Sequence, residues 1–219
     1  MDCDPVDSGL LTPNGTVLFH LDSQFDQNAA ENMDFEGILP NRDCSKIERS
    51  PPIKASKLKK AVTAMTLEEL LEQENELIFP HFNSNDAWQL GVLIRELAIA
   101  GDAQISIDIS IFDQLLFAHA MTGTSLENSH WIRRKKNAVK RFGHSSYYLG
   151  ELYRAQGASF EAKTQLDPNE YAAHGGCFPL LIAGTGMVGS VTISGLAQYE
   201  DHLLVTQALR LYLKQQASY

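Results

Sequence analysis

Hydrophobic and polar positions fall into regular patterns only after about residue 65. Thr66-Leu67-Glu68-Glu69 has the form of a capping box with an acidic first turn, which predicts a helix running to about Gln73. Glu76-Leu77-Ile78-Phe79-Pro80 reads as a short strand stopped by proline. Ser84, Asn85 or Asp86 can cap the next helix, which is apolar at Trp88, Val92, Leu93, Leu97 and Ala100 and ends at Gly101. From Gln104 to Ser110 apolar and polar residues alternate, so Ile105, Ile107 and Ile109 share one face of a half-buried strand. A second strand from Gln114 to Ala120 follows a turn around Asp113, giving an antiparallel hairpin.

Further along, Trp131 or Ile132, Ala138 or Val139, and Phe142 make the apolar stripe of a helix stopped at Gly143. Ser145 or Ser146 can cap the helix after it, which carries Tyr147, Tyr148 and Leu152. The runs Cys177 to Ala183 and Met187 to Ser194 flank Gly184-Thr185-Gly186, a second hairpin signal. After Gly195 a closing helix buries Leu203, Leu204, Ala208, Leu211 and Tyr212 at helical spacing. Hairpins in place of strand–helix–strand units predict an α+β fold, an antiparallel β-sheet flanked by helices.

Residues 1–64 differ in kind. Pro5, Pro13, Pro40, Pro51 and Pro52 interrupt any sustained period and apolar clusters are few, so this stretch is expected to be a flexible extension, or a peptide that docks a partner. Lys54 to Lys60 reads as a solvated basic stretch. The expected organisation is therefore an N-terminal extension over 1–64 and one α+β domain over 65–219.

Composition narrows the classes of function. Hydrophobic residues at 44% and charged residues at 21% are ordinary for a globular chain, and a net charge of −9 opposes a general affinity for nucleic acid or anionic membrane. Cys3, Cys44 and Cys177 are too few and too scattered for a disulfide framework or a four-cysteine zinc site. The start Met1-Asp2-Cys3-Asp4 lacks the cationic region of a secretory signal, and no apolar run approaches the ~20 residues that span a bilayer. A soluble, cytoplasmic protein is expected.

Candidate chemistry centres on residues 128–150, which hold Arg133, Arg134, Lys135, Lys136, Lys140 and Arg141 and no Asp or Glu. Arg134 and Arg141 lie two turns apart on one side of the predicted helix. The helix N-terminus beginning at Ser145 brings free backbone N–H groups close to Arg141 and His144, a corner suited to a carboxylate or phosphate. The same residues can instead form a solvated basic face or an intersubunit salt-bridge patch. His174-Gly175-Gly176 can let backbone approach a ligand, or can simply be a turn into the Cys177 strand. Asp201 and His202 open the last helix, where an acid complements the helix dipole. Nucleophilic catalysis has little support: there is no Gly-x-Ser-x-Gly elbow, and Cys177 lies in an apolar run as a core thiol would. His144 and His174 could act as acid and base, but nothing designates a substrate.

Several segments in order carry a resemblance: Ile107-Asp108-Ile109-Ser110, Trp131-Ile132-Arg133-Arg134-Lys135-Lys136, Arg141-Phe142-Gly143-His144-Ser145-Ser146, Tyr171-Ala172-Ala173-His174-Gly175-Gly176, and Thr192-Ile193-Ser194-Gly195-Leu196 with Glu200-Asp201-His202-Leu203. Together they resemble the HbpS-like superfamily of haem-degrading proteins, to which GlcG and the C-terminal domain of PduO also belong. That resemblance implies a profilin-like layered α+β domain, a homo-oligomer, and haem or corrinoid as cofactor. It also implies an anionic small-molecule ligand or, in some fungal relatives, a co-chaperone partner in targeting tail-anchored membrane proteins. The polar positions of its motifs, Arg134, Lys135, Arg141, His144, Ser145, His174, Asp201 and His202, are the expected ligand-binding residues, gathered around one pocket.

Overall fold

The computed structural model describes residues 65–217, and the expected extension over 1–64 lies outside them. In chain order the elements are α1 (Leu67–Glu76), β1 (Ile78–Phe79), α2 (Ser84–Ala100), β2 (Ser106–Ile111), β3 (Gln114–Ala120), α3 (Leu126–Phe142), α4 (Ser146–Ala155), α5 (Phe160–Thr164), β4 (Cys177–Ile182), β5 (Gly186–Ser194) and α6 (Gln198–Gln216). The strands form one sheet in the order β1-β4-β5-β2-β3. Both predicted hairpins are present, and β2 also pairs with β5 antiparallel.

The sheet is mixed, not purely antiparallel as expected: β1 runs parallel to β4, with Ile78 opposite Leu181 and Phe79 opposite Ile182. A two-residue strand has no alternation from which a partner or direction can be read. Pro80 then ends it, since proline offers no N–H to a ladder.

Alternation along β2 sorts the sheet into two unlike faces. Ile105, Ile107 and Ile109 join Phe178, Leu180, Val191 and Ile193 in a core closed by α2 and α6, which contribute Leu90, Ile94, Val205, Ala208, Leu209 and Tyr212. The other face turns Ser106, Asp108 and Ser110 into register with Ser194, Thr192 and Ser190, and α3 packs over it. A second apolar cluster, built on Leu70, Ala138, Tyr147, Tyr148, Leu149, Phe160 and Ala173, joins α1, α3, α4 and α5.

Two helices bury faces other than those expected. On α2 the buried positions are Ala87, Leu90, Gly91, Ile94 and Ala98, while Trp88 is 65% exposed. Gly91 sets this rotation, because a Cβ there would lie 2.5 Å from the Phe117 ring of β3. Trp88 is left outside, edge-on to the same ring at 5.9 Å. On α6 Ala208 and Tyr212 are buried as expected, but Leu203 and Leu204 are only half-buried and Leu211 is exposed, their places taken by Val205 and Leu209.

Candidate functional site

The α3 helix starts at Ser125, whose N–H donates to Asn128 Oδ1 at 2.9 Å, and stops at Gly143, which adopts φ 77°. Its basic residues divide by side. Lys135 points into the protein, its side chain 2% exposed, and its ammonium donates to Gly175 O at 3.0 Å, Ile193 O at 2.6 Å and Asp201 Oδ2 at 3.2 Å. All its donors are thereby used. Asp201 also accepts from Leu196 N at 3.1 Å, which holds the start of α6. Burial pushes the Asp201 carboxyl up to about 6 against the pull of Lys135, and burial lowers the Lys135 ammonium.

Gly175 and Gly176 are explained by this ion pair. A Cβ on Gly176, at φ +109°, would lie 2.7 Å from Lys135 Nζ and 2.6 Å from Ile193 O, and one on Gly175 would lie 1.8 Å from Gln198 O. The close backbone approach anticipated at this turn is to Lys135 and to the first turn of α6.

The corner between α3 and α4 does hold an anion, and that anion is the protein's own Glu74 carboxylate. Glu74, 6% exposed, accepts from His144 Nδ1 and from Ser145 N, each at 2.7 Å. Ser145 Oγ in turn accepts from Tyr148 N at 3.3 Å as the cap of α4. His202 is fully buried, donates from Nε2 to Gln73 Oε1 at 2.9 Å, and stacks on Tyr147 with ring centroids 4.9 Å apart. Burial depresses its imidazole to about 3.

That depression has a pH consequence. The unfolded imidazole takes up a proton near its ordinary value of about 6.5 and the folded one does so only near 3, so His202's contribution is complete above pH 6.5 and is lost as pH falls towards 3. Asp201, raised in the folded state, acts in the opposite direction between about 6 and its ordinary 3.8. His202→Asn is accordingly expected to move the midpoint of acid unfolding to lower pH than in the parent, as followed by far-ultraviolet circular dichroism.

The adjoining side of α3 carries a different arrangement. The chain from Glu170 to Gly175 runs alongside the helix, tied by Asn137 Nδ2 to Glu170 O at 2.8 Å and by Ala172 N to Arg134 O at 3.1 Å. This places the Trp131 and His174 rings edge to face at 4.9 Å, sets the Arg134 guanidinium 4.2 Å from the Trp131 ring centroid, and brings Arg141 within 5.9 Å of that of Tyr171. Arg134 Nε and His174 Nδ1 are both buried and have no hydrogen-bond partner among the described residues. Burial, with Arg134 and Lys135 nearby, lowers the His174 imidazole against a weaker pull from Glu161, so it is neutral at pH 7.

Of the eight expected site residues, then, Arg134, Arg141 and His174 line this cation–aromatic strip. Lys135 and Asp201 form a buried internal pair, His144 and Ser145 hold Glu74, and His202 is packed in the interior. Sequence reasoning counted Trp131 only as a stripe residue and gave no role to Tyr171. For Trp131 the signal available was spacing, since Trp131, Arg134 and Arg141 recur at i, i+3 and i+10 on one helical side, whereas Tyr171 lies outside any helix and had none.

Comparison with solved structures places the fold in a class. The crystal structure of the Ybr137w protein superposes with a TM-score of 0.67 at 34% identity, covering 74% of this chain and 96% of that one. A PduOC–haem complex gives 0.50 at 19% identity, over 59% and 93% of the two chains, a likeness of fold. In sequence, a UPF0303 protein of Streptomyces coelicolor is 49% identical over 70% of this chain and 97% of its own length, and one of Psychromonas ingrahamii is 45% identical over 68% and 94%. The sequence model of the family described as haem degrading protein HbpS-like matches residues 82–210. The chain belongs to this HbpS-like family.

No described helix is long and apolar enough to cross a membrane. Among the described residues no group of three or more His, Cys, Asp and Glu side chains is arranged to hold a bare metal ion.

Proposed function

We propose that the protein is a binding module for haem or a similar planar anionic molecule, held on the strip formed by Trp131, Arg134, Arg141, Tyr171 and His174. The observation that carries this reading is the pair of buried polar atoms without partners, Arg134 Nε and His174 Nδ1, beside the Trp131 ring. Buried polar groups are ordinarily bonded, so two orphans in one place are those a ligand would satisfy. The donor set fits haem: guanidinium groups for carboxylates, aromatic faces for the ring, and a neutral imidazole of the kind that ligates iron. That a chain of the same fold, PduOC, is known as a haem complex supports the choice of haem. Bound haem would supply a redox-active, Lewis-acidic iron; this chain's residues would bind and orient it.

We place this module in a homo-oligomer. Edge strand β3 carries exposed Leu115, and exposed Trp88 lies against Phe117 of the same strand, an apolar edge that self-association would cover.

Titration of the purified full chain with haemin, followed in the Soret band, tests the reading. A saturable shift is expected in the parent. In Arg134→Ala, which loses a charge-assisted hydrogen bond, Kd should rise about tenfold. His174→Ala should change the position of the band. A parent whose Soret band does not move, or Kd values unaffected by Arg134→Ala, contradicts it.

A further inference from the structure

A groove of about 440 Å³ lies between α3 and the β2–β3 hairpin, on the sheet face away from the main core. It is open because Ala118 and Ala120 stand opposite Asp108 and Ser106 in the ladder and turn only methyl groups towards the α3 side of the edge strand. Its volume falls within the range of small-molecule clefts, roughly 300–1,000 Å³.

The polar groups of its wall are incompletely used. Lys136 Nζ donates to Asp108 Oδ1 and to Ser110 Oγ, each at 2.7 Å, which leaves one of its N–H groups. Asp108 Oδ1 accepts from both Lys136 and Ser110, while its other oxygen accepts from no described residue. Ser106, 3% exposed, has a buried Oγ without a hydrogen-bond partner. A spare donor, a spare acceptor and an orphaned hydroxyl thus share one wall, faced by apolar Ile132, Ala118 and Ala120.

Charge decides the class of ligand. The charged residues of the groove are already matched, Lys136 with Asp108, Arg133 with Glu170 and Asp113 with Lys140, so no net field draws an ion. A hydroxyl both donates and accepts, and so meets an adjacent ammonium and carboxylate at once. We propose that this groove binds a small neutral polyol or sugar, with one hydroxyl bridging Lys136 and Asp108, another bonded to Ser106, and its C–H face on Ile132 and the two alanines. This site is separate from the Trp131–Arg134–His174 strip and does not depend on it.

Saturation-transfer NMR on the full chain with D-glucose and myo-inositol as probes, and with acetate and glycine as charged controls, tests the proposal. Transfer to a polyol is expected, lost in Ala118→Leu and Ala120→Leu, two exposed positions where leucine fills the groove without touching the core. Ser106→Ala, which removes a hydroxyl unpartnered in the free protein, should weaken binding about fivefold. Arg134→Ala should leave polyol binding unchanged. Absence of transfer to both polyols, equal transfer in both groove-filling variants, or transfer to acetate or glycine instead would overturn it.

Discussion

Lys135→Ala is expected to destabilise the fold by about 3–5 kcal/mol, the cost of leaving a buried charge without its partner. The variant removes the only cation bonded to Asp201 among the described residues and strips donors from Gly175 O and Ile193 O, all inside the protein. Asp201 can relieve part of the loss by taking up a proton, since burial already raises its carboxyl to about 6. The loss should therefore be smaller at pH 5 than at pH 8. Lys135→Met with Asp201→Asn should recover much of it, because the amide oxygen can still accept from Leu196 N and no charge remains buried. Urea unfolding midpoints of the single and double variants measure this directly. Had Lys135 been a ligand-binding lysine, the single variant would instead keep its stability and lose affinity.

Gly176→Ala should cost about 3 kcal/mol or more, because two penalties fall together. The residue sits at φ +109°, where a side chain strains the backbone, and its Cβ would meet Ile193 O at 2.6 Å, Lys135 Nζ at 2.7 Å and Asp201 Cβ at 2.8 Å. Neither the carbonyl nor the buried ammonium can retreat without breaking the network just described. Gly143 provides the control. It too has positive φ, +77°, but nothing lies within 4 Å of a Cβ there, so Gly143→Ala should show the backbone cost alone, about 1–2 kcal/mol. Equal losses in the two variants would mean that packing around Lys135 contributes little.

What could be read from the sequence was what local pattern encodes. The hairpin through Asp113, the strand alternation of Ile105, Ile107 and Ile109, the Gly143 stop and the Ser145 cap each depend on neighbours a few residues away, and each is present. The buried face of α2 was not legible, because that helix is apolar on more than one side and the small Gly91 turns inward to admit Phe117. The parallel pairing of β1 was hidden for a related reason: two residues specify no register.

At the site, sequence found the polar residues but not their partners. His144 and Ser145 looked like an anion corner, and the anion came from Glu74, some seventy positions upstream. Lys135 and Lys136 are adjacent in a basic run, yet successive helical positions diverge by about 100°, so one is an interior strut on Asp201 and the other a groove wall on Asp108. Composition treats them alike, and only the packing of α3 across the sheet separates them.

The most direct test of the binding role is native mass spectrometry of the full chain purified from its own source, run beside Arg134→Ala. The strip of Trp131, Arg134, Arg141, Tyr171 and His174 predicts a homo-oligomer retaining a haem-sized or similar anionic adduct, with the adduct lost in the variant while the oligomer persists. A parent oligomer that stays free of any adduct after incubation with haemin, or one whose adduct survives Arg134→Ala undiminished, would contradict the assignment.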